Sequence, residues 1–187
     1  MPDLSPRPAL ASQGPITANG MTLVEVFPVD LASVTARRGQ EEACAAALAE
    51  LEATVPSIGH AVAGDPYDLL CVARHQWMVC AERPDLAADL SRDLAGLASV
   101  TEQSGAWVML DLSGARLSRV LERLCNLPSS ARGIDTVLRT DLSGIGGMVW
   151  RRSPEEVRIF GPRASARDLA RTVETAMGAI GPSDPLP

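Results

Sequence analysis

Three groups of residues in this 187-residue chain have types that could carry chemistry. Gly144, Gly146 and Gly147 form its glycine cluster. A phosphate-cradling loop needs a helix directly after the glycines, so that N-terminal amides meet the phosphate. Met148-Val149-Trp150-Arg151-Arg152 follows instead and reads as a strand. A tight turn or bulge that only glycine fits is the favoured reading. His60 and His75 are the only imidazoles. General acid–base work needs a nucleophile or carboxylate held beside them, and the spacing shows none. His75 falls in a predicted hairpin turn, where a solvated histidine is ordinary. Cys125 ends a predicted helix next to Asn126, with nothing in the sequence to stabilise a thiolate. It reads as a buried thiol.

The rest of the inventory narrows the chemistry further. All 17 basic residues are arginine, a bias that reads as genome composition. With no lysine there can be no Schiff-base lysine and no phosphate-loop lysine. Cys44, Cys71, Cys80 and Cys125 form no C-x-x-C pair, and two histidines cannot complete a metal site around them. Isolated cysteines among Ala, Leu and Val read as small buried hydrophobes in a reducing compartment, so a cytoplasmic protein is expected. Neither a signal-peptide stretch nor a run of about 18 apolar residues is present. The net charge of −6 removes any electrostatic reason to expect nucleic acid or an anionic membrane surface. Glu41-Glu42, Glu155-Glu156 and Asp111 belong to no visible motif. Arg116, Arg119 and Arg123 recur on one side of a predicted helix, which reads as a solvated face or an interface. Trp77, Trp107 and Trp150 fall on predicted strands, where core packing is the default and an exposed tryptophan would anchor an interface. The expectation is therefore that this chain supplies no catalytic, cofactor-binding or metal-ligating residue.

The elements that must position these residues follow from period and punctuation. Aromatic residues are only 3% of the chain, so the core must be mostly aliphatic. Residues 1–20 are rich in Pro, Ser and Ala and read as a flexible arm. Residues 181–187 read as an irregular tail. A strand is predicted over Leu23 to Phe27, with Leu31 to Ala36 extending or pairing with it. Gln40 to Leu51 reads as a helix with Ala43, Cys44, Ala47, Leu48 and Leu51 on one face. Asp68 to Arg74 and Trp77 to Ala81 form a hairpin. A helix after Pro84 carries Leu86, Leu90, Leu94, Leu97 and Val100. The same order returns in a strand over Ala106 to Leu112 and a helix N-capped by Ser113 that buries Leu117, Val120, Leu121 and Leu124. Pro128 stops that helix, and Thr136 to Leu142 is extended. A hairpin then crosses Ser153-Pro154. A last helix opens at a Ser165/Asp168 capping box and buries Leu169, Val173, Ala176 and Ile180. Both stretches read strand, helix, strand hairpin, helix. The expectation is an α+β protein of two similar halves, 21–104 and 105–180, with antiparallel sheets and helices on one face of each.

Several of these pieces resemble a known family. Val100-Thr101-Glu102-Gln103-Ser104, the strand into Leu112-Ser113-Gly114-Ala115-Arg116, and then Leu121 and Cys125, are similar to the gamma subunit of heterotetrameric sarcosine oxidase. So are Thr140-Asp141-Leu142 with Ile145, Trp150-Arg151, Gly161-Pro162-Arg163, and the strand Gln76-Trp77-Met78-Val79. The resemblance covers about residues 70 to 180 with the motif order kept. It departs at Leu124, at Asn126-Leu127-Pro128 and at Ala164, and Met21 to Asp65 does not match.

The resemblance implies the fold related to the glycine-cleavage T-protein. It implies alpha, beta and delta partners, alpha most directly, with FAD, FMN, NAD and tetrahydrofolate held by those partners and none by this chain alone. The complex would oxidatively demethylate sarcosine to glycine, passing the one-carbon unit to tetrahydrofolate or releasing formaldehyde. This chain would be its non-catalytic accessory subunit. The alternatives are the gamma subunit of a related N-methyl amino acid oxidase or dehydrogenase, and a stand-alone folate-binding module.

Overall fold

Two antiparallel sheets pack face to face, and each carries helices on its outer side. The computed structural model describes residues 6–11, 14–51, 54–128 and 133–181. Most of the expected 181–187 tail, and residues 1–5 and 12–13 of the expected arm, lie outside the described residues. The strands are β1 (Ile16–Ala18), β2 (Met21–Glu25), β3 (Asp30–Ala36), β4 (Ala61–Val62), β5 (Asp68–Ala73), β6 (Gln76–Ala81), β7 (Ala98–Glu102), β8 (Trp107–Ser113), β9 (Val137–Leu142), β10 (Ile145–Ser153) and β11 (Glu156–Pro162). The helices are α1 (Glu41–Leu51), α2 (Leu86–Asp93), α3 (Leu117–Leu124) and α4 (Ala166–Gly178).

One sheet has the order β4-β5-β6-β3-β7 and the other β9-β10-β11-β8-β2-β1. Read in that direction, β9, β10, β11, β8 and β2 stand where β4, β5, β6, β3 and β7 stand. The last position differs in origin. In the first sheet it is filled by β7, which follows α2. In the second it is filled by β2 from the N-terminal stretch, paired with β8 through Thr22↔Ser113 and Leu23↔Leu112. The sheets therefore do not divide the chain at residue 104. Nor is the N-terminal stretch wholly an arm. β1 pairs with β2, Leu10 is buried in the core, and the Glu25 carboxylate accepts from the Ala9 and Leu10 amides at 2.6 and 2.9 Å.

Period-2 alternation sends successive side chains to opposite layers. In β6, Trp77, Val79 and Ala81 face the helices, while Met78 and Cys80 face the other sheet. In β11, Val157 and Ile159 join the helix-facing core, and Phe160 joins the layer between the sheets. Strands covered on both faces read as near-continuous apolar runs, as Leu69-Leu70-Cys71 and Met148-Val149-Trp150 do. Along one edge the two sheets are stitched together. His60 bridges Thr136, the Ala61 amide donates to Asp135 O at 2.8 Å, and the Val137 amide donates to Gly59 O at 2.9 Å.

Four local expectations need correction. The helix expected through Val100 stops at Asp93, because Gly96 takes φ +81° and turns the chain. Leu97 and Val100 keep to the same core, but Val100 does so from β7. Ser113 ends β8 rather than capping a helix, and α3 begins after Arg116 with no side-chain cap. Ser165 does precede α4, but its hydroxyl makes no cap bond, and Asp168 pairs with Arg171 at 2.7 Å. Ala43 of α1 is exposed; Cys44 and Leu48 are buried.

The glycine cluster forms a hairpin, not a phosphate loop. Ser143 and Gly144 turn at φ 54° and 96°, and β10 follows. A Cβ on Gly147 would lie far inside contact distance of the Phe160 carbonyl oxygen, whereas one on Gly146 would meet nothing within 4 Å. Gly147→Ala should therefore cost about 2 kcal/mol through overpacking, and Gly146→Ala under about 1 kcal/mol. Urea denaturation midpoints of the two variants check this contrast.

Candidate functional site

The candidate site lies at the end of the layer between the sheets, and register builds it. Phe160 faces the opposite sheet, so Arg158, two residues earlier, faces it too. Pairing places Arg158 directly across from Asp111 of β8 and from Trp150 of β10. Asp68 shares the inner face of β5 with Leu70.

Arg158 is 8% exposed, and a buried guanidinium must be paired. Its Nε and Nη2 donate to the two Asp111 oxygens at 2.8 and 2.9 Å, a bidentate fork. Its Nη1 donates across the layer to Asp68 Oδ2 at 3.1 Å. Arg152 reaches the same group, with Nη1 at 2.9 Å from Glu156 Oε1 and 3.5 Å from Asp111 Oδ2. Both guanidinium carbons sit over the Trp150 ring, at 5.3 Å for Arg152 and 5.8 Å for Arg158.

The members of this network are unequally served. Burial works against the Arg158 charge, but the hydrogen bonds and charge of Asp111, helped by Asp68, hold its pKa above the usual value. For Asp68, burial dominates and pushes the carboxyl pKa up, although Arg158 pulls it down. Among the described residues, Asp68 Oδ1 accepts only the Gly64 amide, at 3.3 Å. A cavity of about 310 Å³ opens beside these groups, walled also by Val26, Val29, Asp65 and Glu82.

Of the residues singled out in the sequence, Asp111, Glu156 and Trp150 join this network; the histidines, Cys125 and the arginine stripe lie elsewhere. His60 is exposed, with Nδ1 near Ser57 Oγ at 3.2 Å. His75 sits at φ 56° in the turn between β5 and β6. Cys125 is half-buried at the end of α3, where its Sγ donates to Leu121 O at 3.6 Å. Burial pushes its thiol up to about 11. It borders a cavity of about 610 Å³ with Asp141, Ser143 and Arg151. Among the described residues no cluster of His, Cys, Asp and Glu could hold a metal ion, and no helix is long and apolar enough to cross a membrane. The arginine stripe is engaged locally: Arg119 pairs with Glu122 at 3.0 Å, and Arg123 donates to Ala179 O at 3.3 Å. Trp77 and Trp150 are buried. Trp107 alone is partly exposed and borders an apolar groove with Phe27.

Asp68, Arg152 and Arg158 were missed in the sequence. The available signal was alternation in Val157-Arg158-Ile159-Phe160, which puts an arginine on the same face as a buried phenylalanine.

No protein-family model matches the sequence, and no curated protein matches it. By fold the chain is similar to a chain of the heterotetrameric sarcosine oxidase from Corynebacterium sp. U-96, in complex with pyrrole 2-carboxylate. That likeness has a TM-score of 0.74 and 21% identity, and covers 88% of this chain and 89% of that one. The glycine cleavage system aminomethyltransferase T from Bartonella henselae is also similar, with a TM-score of 0.62 and 18% identity over 82% of this chain. This chain spans 45% of that protein. These likenesses establish the fold.

Two outcomes are expected. Asp68 binds its proton more tightly folded than unfolded. Its contribution to stability therefore falls as pH rises from the ordinary carboxylate range through its raised value. Asp68→Asn should remove that loss and lie within about 1 kcal/mol of the parent at neutral pH, whereas Arg158→Met should cost about 3 kcal/mol by stripping half-buried Asp111 of its bidentate partner and leaving it the longer contact with Arg152. Denaturant titrations at pH 4 and pH 7 check both. Separately, Cys125 should alkylate slowly with iodoacetamide at neutral pH and accelerate toward pH 11. Peptide mass spectrometry of a pH series reads this out.

Proposed function

We propose that this chain is the accessory, gamma-type subunit of a flavin-dependent oxidase complex acting on sarcosine or a closely related N-methyl amino acid. One observation carries the reading. The likeness to a chain of a heterotetrameric sarcosine oxidase runs nearly end to end on both sides, with 88% of this chain and 89% of that one covered. The ordered motifs from about residue 70 to 180 support the same assignment.

In this reading the larger subunits hold FAD, FMN, NAD and the tetrahydrofolate site. They remove two electrons from the N-methyl amine, hydrolyse the imine to glycine, and transfer the one-carbon unit or release it as formaldehyde. This chain contributes no reacting group. It stabilises the alpha partner in the cytoplasm and helps shape its folate-side region. The motif departures at Leu124 and Ala164 leave the particular N-methyl substrate open between sarcosine and a near relative.

The test is co-expression with the large flavoprotein subunits that this reading expects to be encoded beside it, followed by purification through a tag on this chain. A yellow complex with a fixed subunit ratio is expected. Recovery of this chain alone would contradict the proposal. Tight tetrahydrofolate binding by the isolated chain would favour a stand-alone folate module of the kind suggested by the aminomethyltransferase likeness.

A further inference from the structure

The cavity beside Arg158 is a site with unspent groups of both signs. All three Arg158 nitrogens are engaged, since Nε, Nη1 and Nη2 each donate to a carboxylate. Arg152 has committed only Nη1. Its Nε and Nη2 make no bond among the described residues, and its Cζ lies over the Trp150 ring. On the acceptor side, Asp68 Oδ1 makes one long bond to the Gly64 amide. Asp65 and Glu82, both exposed, line the same space. Val26 and Val29 supply an apolar wall. At about 310 Å³ the cavity is at the small end of ligand sites, which begin at roughly 300 Å³.

We propose that this cavity binds a small zwitterionic amino acid, its ammonium group against Asp68, Asp65 and Glu82 and its carboxylate against Arg152. A planar guanidinium with two adjacent free N–H donors matches a carboxylate bidentately. A half-buried carboxylate with one lone-pair side left open matches an ammonium group, which donates three hydrogen bonds and no more. A simple anion would meet the three carboxylates. A simple cation would leave the Arg152 donors unused. A molecule carrying both charges a few ångströms apart satisfies both ends, and the valines leave room for one or two methyl groups on nitrogen or Cα. This site goes beyond the accessory-subunit reading and does not depend on it, since every group belongs to this chain.

The test is isothermal titration of the full chain, together with any subunits that purify with it, using glycine and N-methylglycine. Methylammonium and acetate serve as half-molecule probes. Saturable binding of both amino acids is expected, with each half-molecule weaker by about tenfold or more, the loss of one charge-assisted end. Arg152→Gln and Glu82→Gln should each weaken binding about tenfold, and Glu82→Gln, at an exposed residue, should do so without moving the melting temperature. In a complex, the difference between parent and Arg152→Gln isolates this cavity from any other amino-acid site. No saturable binding up to about 100 mM in a chain that melts cooperatively would overturn the proposal. So would equal affinity for methylammonium and glycine, or binding unchanged in Arg152→Gln.

Discussion

The constraint on which this structure turns is the burial of one arginine between two sheets. A guanidinium placed there must spend its hydrogen bonds on carboxylates, because no water shell replaces them. Arg158 meets that demand with Asp111 on the next strand and Asp68 on the opposite sheet. The pairing also fixes register. A one-residue slip of β11 against β8 would send Arg158 into the aliphatic core under α3 and α4 and bring Val157 or Ile159 to face Asp111. Burial of this charge therefore selects one alignment of β8, β10 and β11, and the cavity opens where that alignment ends.

A second constraint comes from the missing last strand of the second sheet. After α4 the described chain holds no further strand, and β2 takes the position that β7 holds in the first sheet. The N-terminal stretch is thereby tied in at several points. Glu25 holds Ala9 and Leu10, Asn19 donates to Met177 O at 3.0 Å at the end of α4, and Arg163 donates to Arg7 O. Such tethering would suit the accessory-subunit role proposed above. The Asp68 side of the cavity belongs to the other sheet, so the cavity's geometry reports on how the two sheets sit together.

Much of this was legible in residue types and spacing. The β5–β6 and β10–β11 hairpins follow from alternation broken at Arg74-His75-Gln76 and at Ser153-Pro154, and the turn before β10 from the glycine cluster at Gly144. The buried faces of α3 and α4 follow from helical spacing of Leu117 to Leu124 and Leu169 to Ile180. What failed is equally specific. Leu97 and Val100 continue the helical spacing of α2 by coincidence, and only pairing with β3 reveals a strand. The place of β2 depends on a contact with β8 nearly ninety residues away along the chain, which local pattern does not carry. The Arg158 network draws Asp68, Asp111 and Arg152 from four strands with Arg158, so no spacing announces it. Asp111 looked unpaired because its partner lies 47 residues on.

The central structural claim is that Arg158 is locked in a fork to Asp111 and that Asp68 is the under-served third member. Hydrogen exchange at the Arg158 Nε–H, followed by ¹⁵N NMR at neutral pH, tests it directly. The resonance should be strongly protected in the parent and in Asp68→Asn, and should lose protection in Asp111→Asn. Exchange as fast as that of the exposed Arg171, or protection that survives Asp111→Asn, would contradict the account.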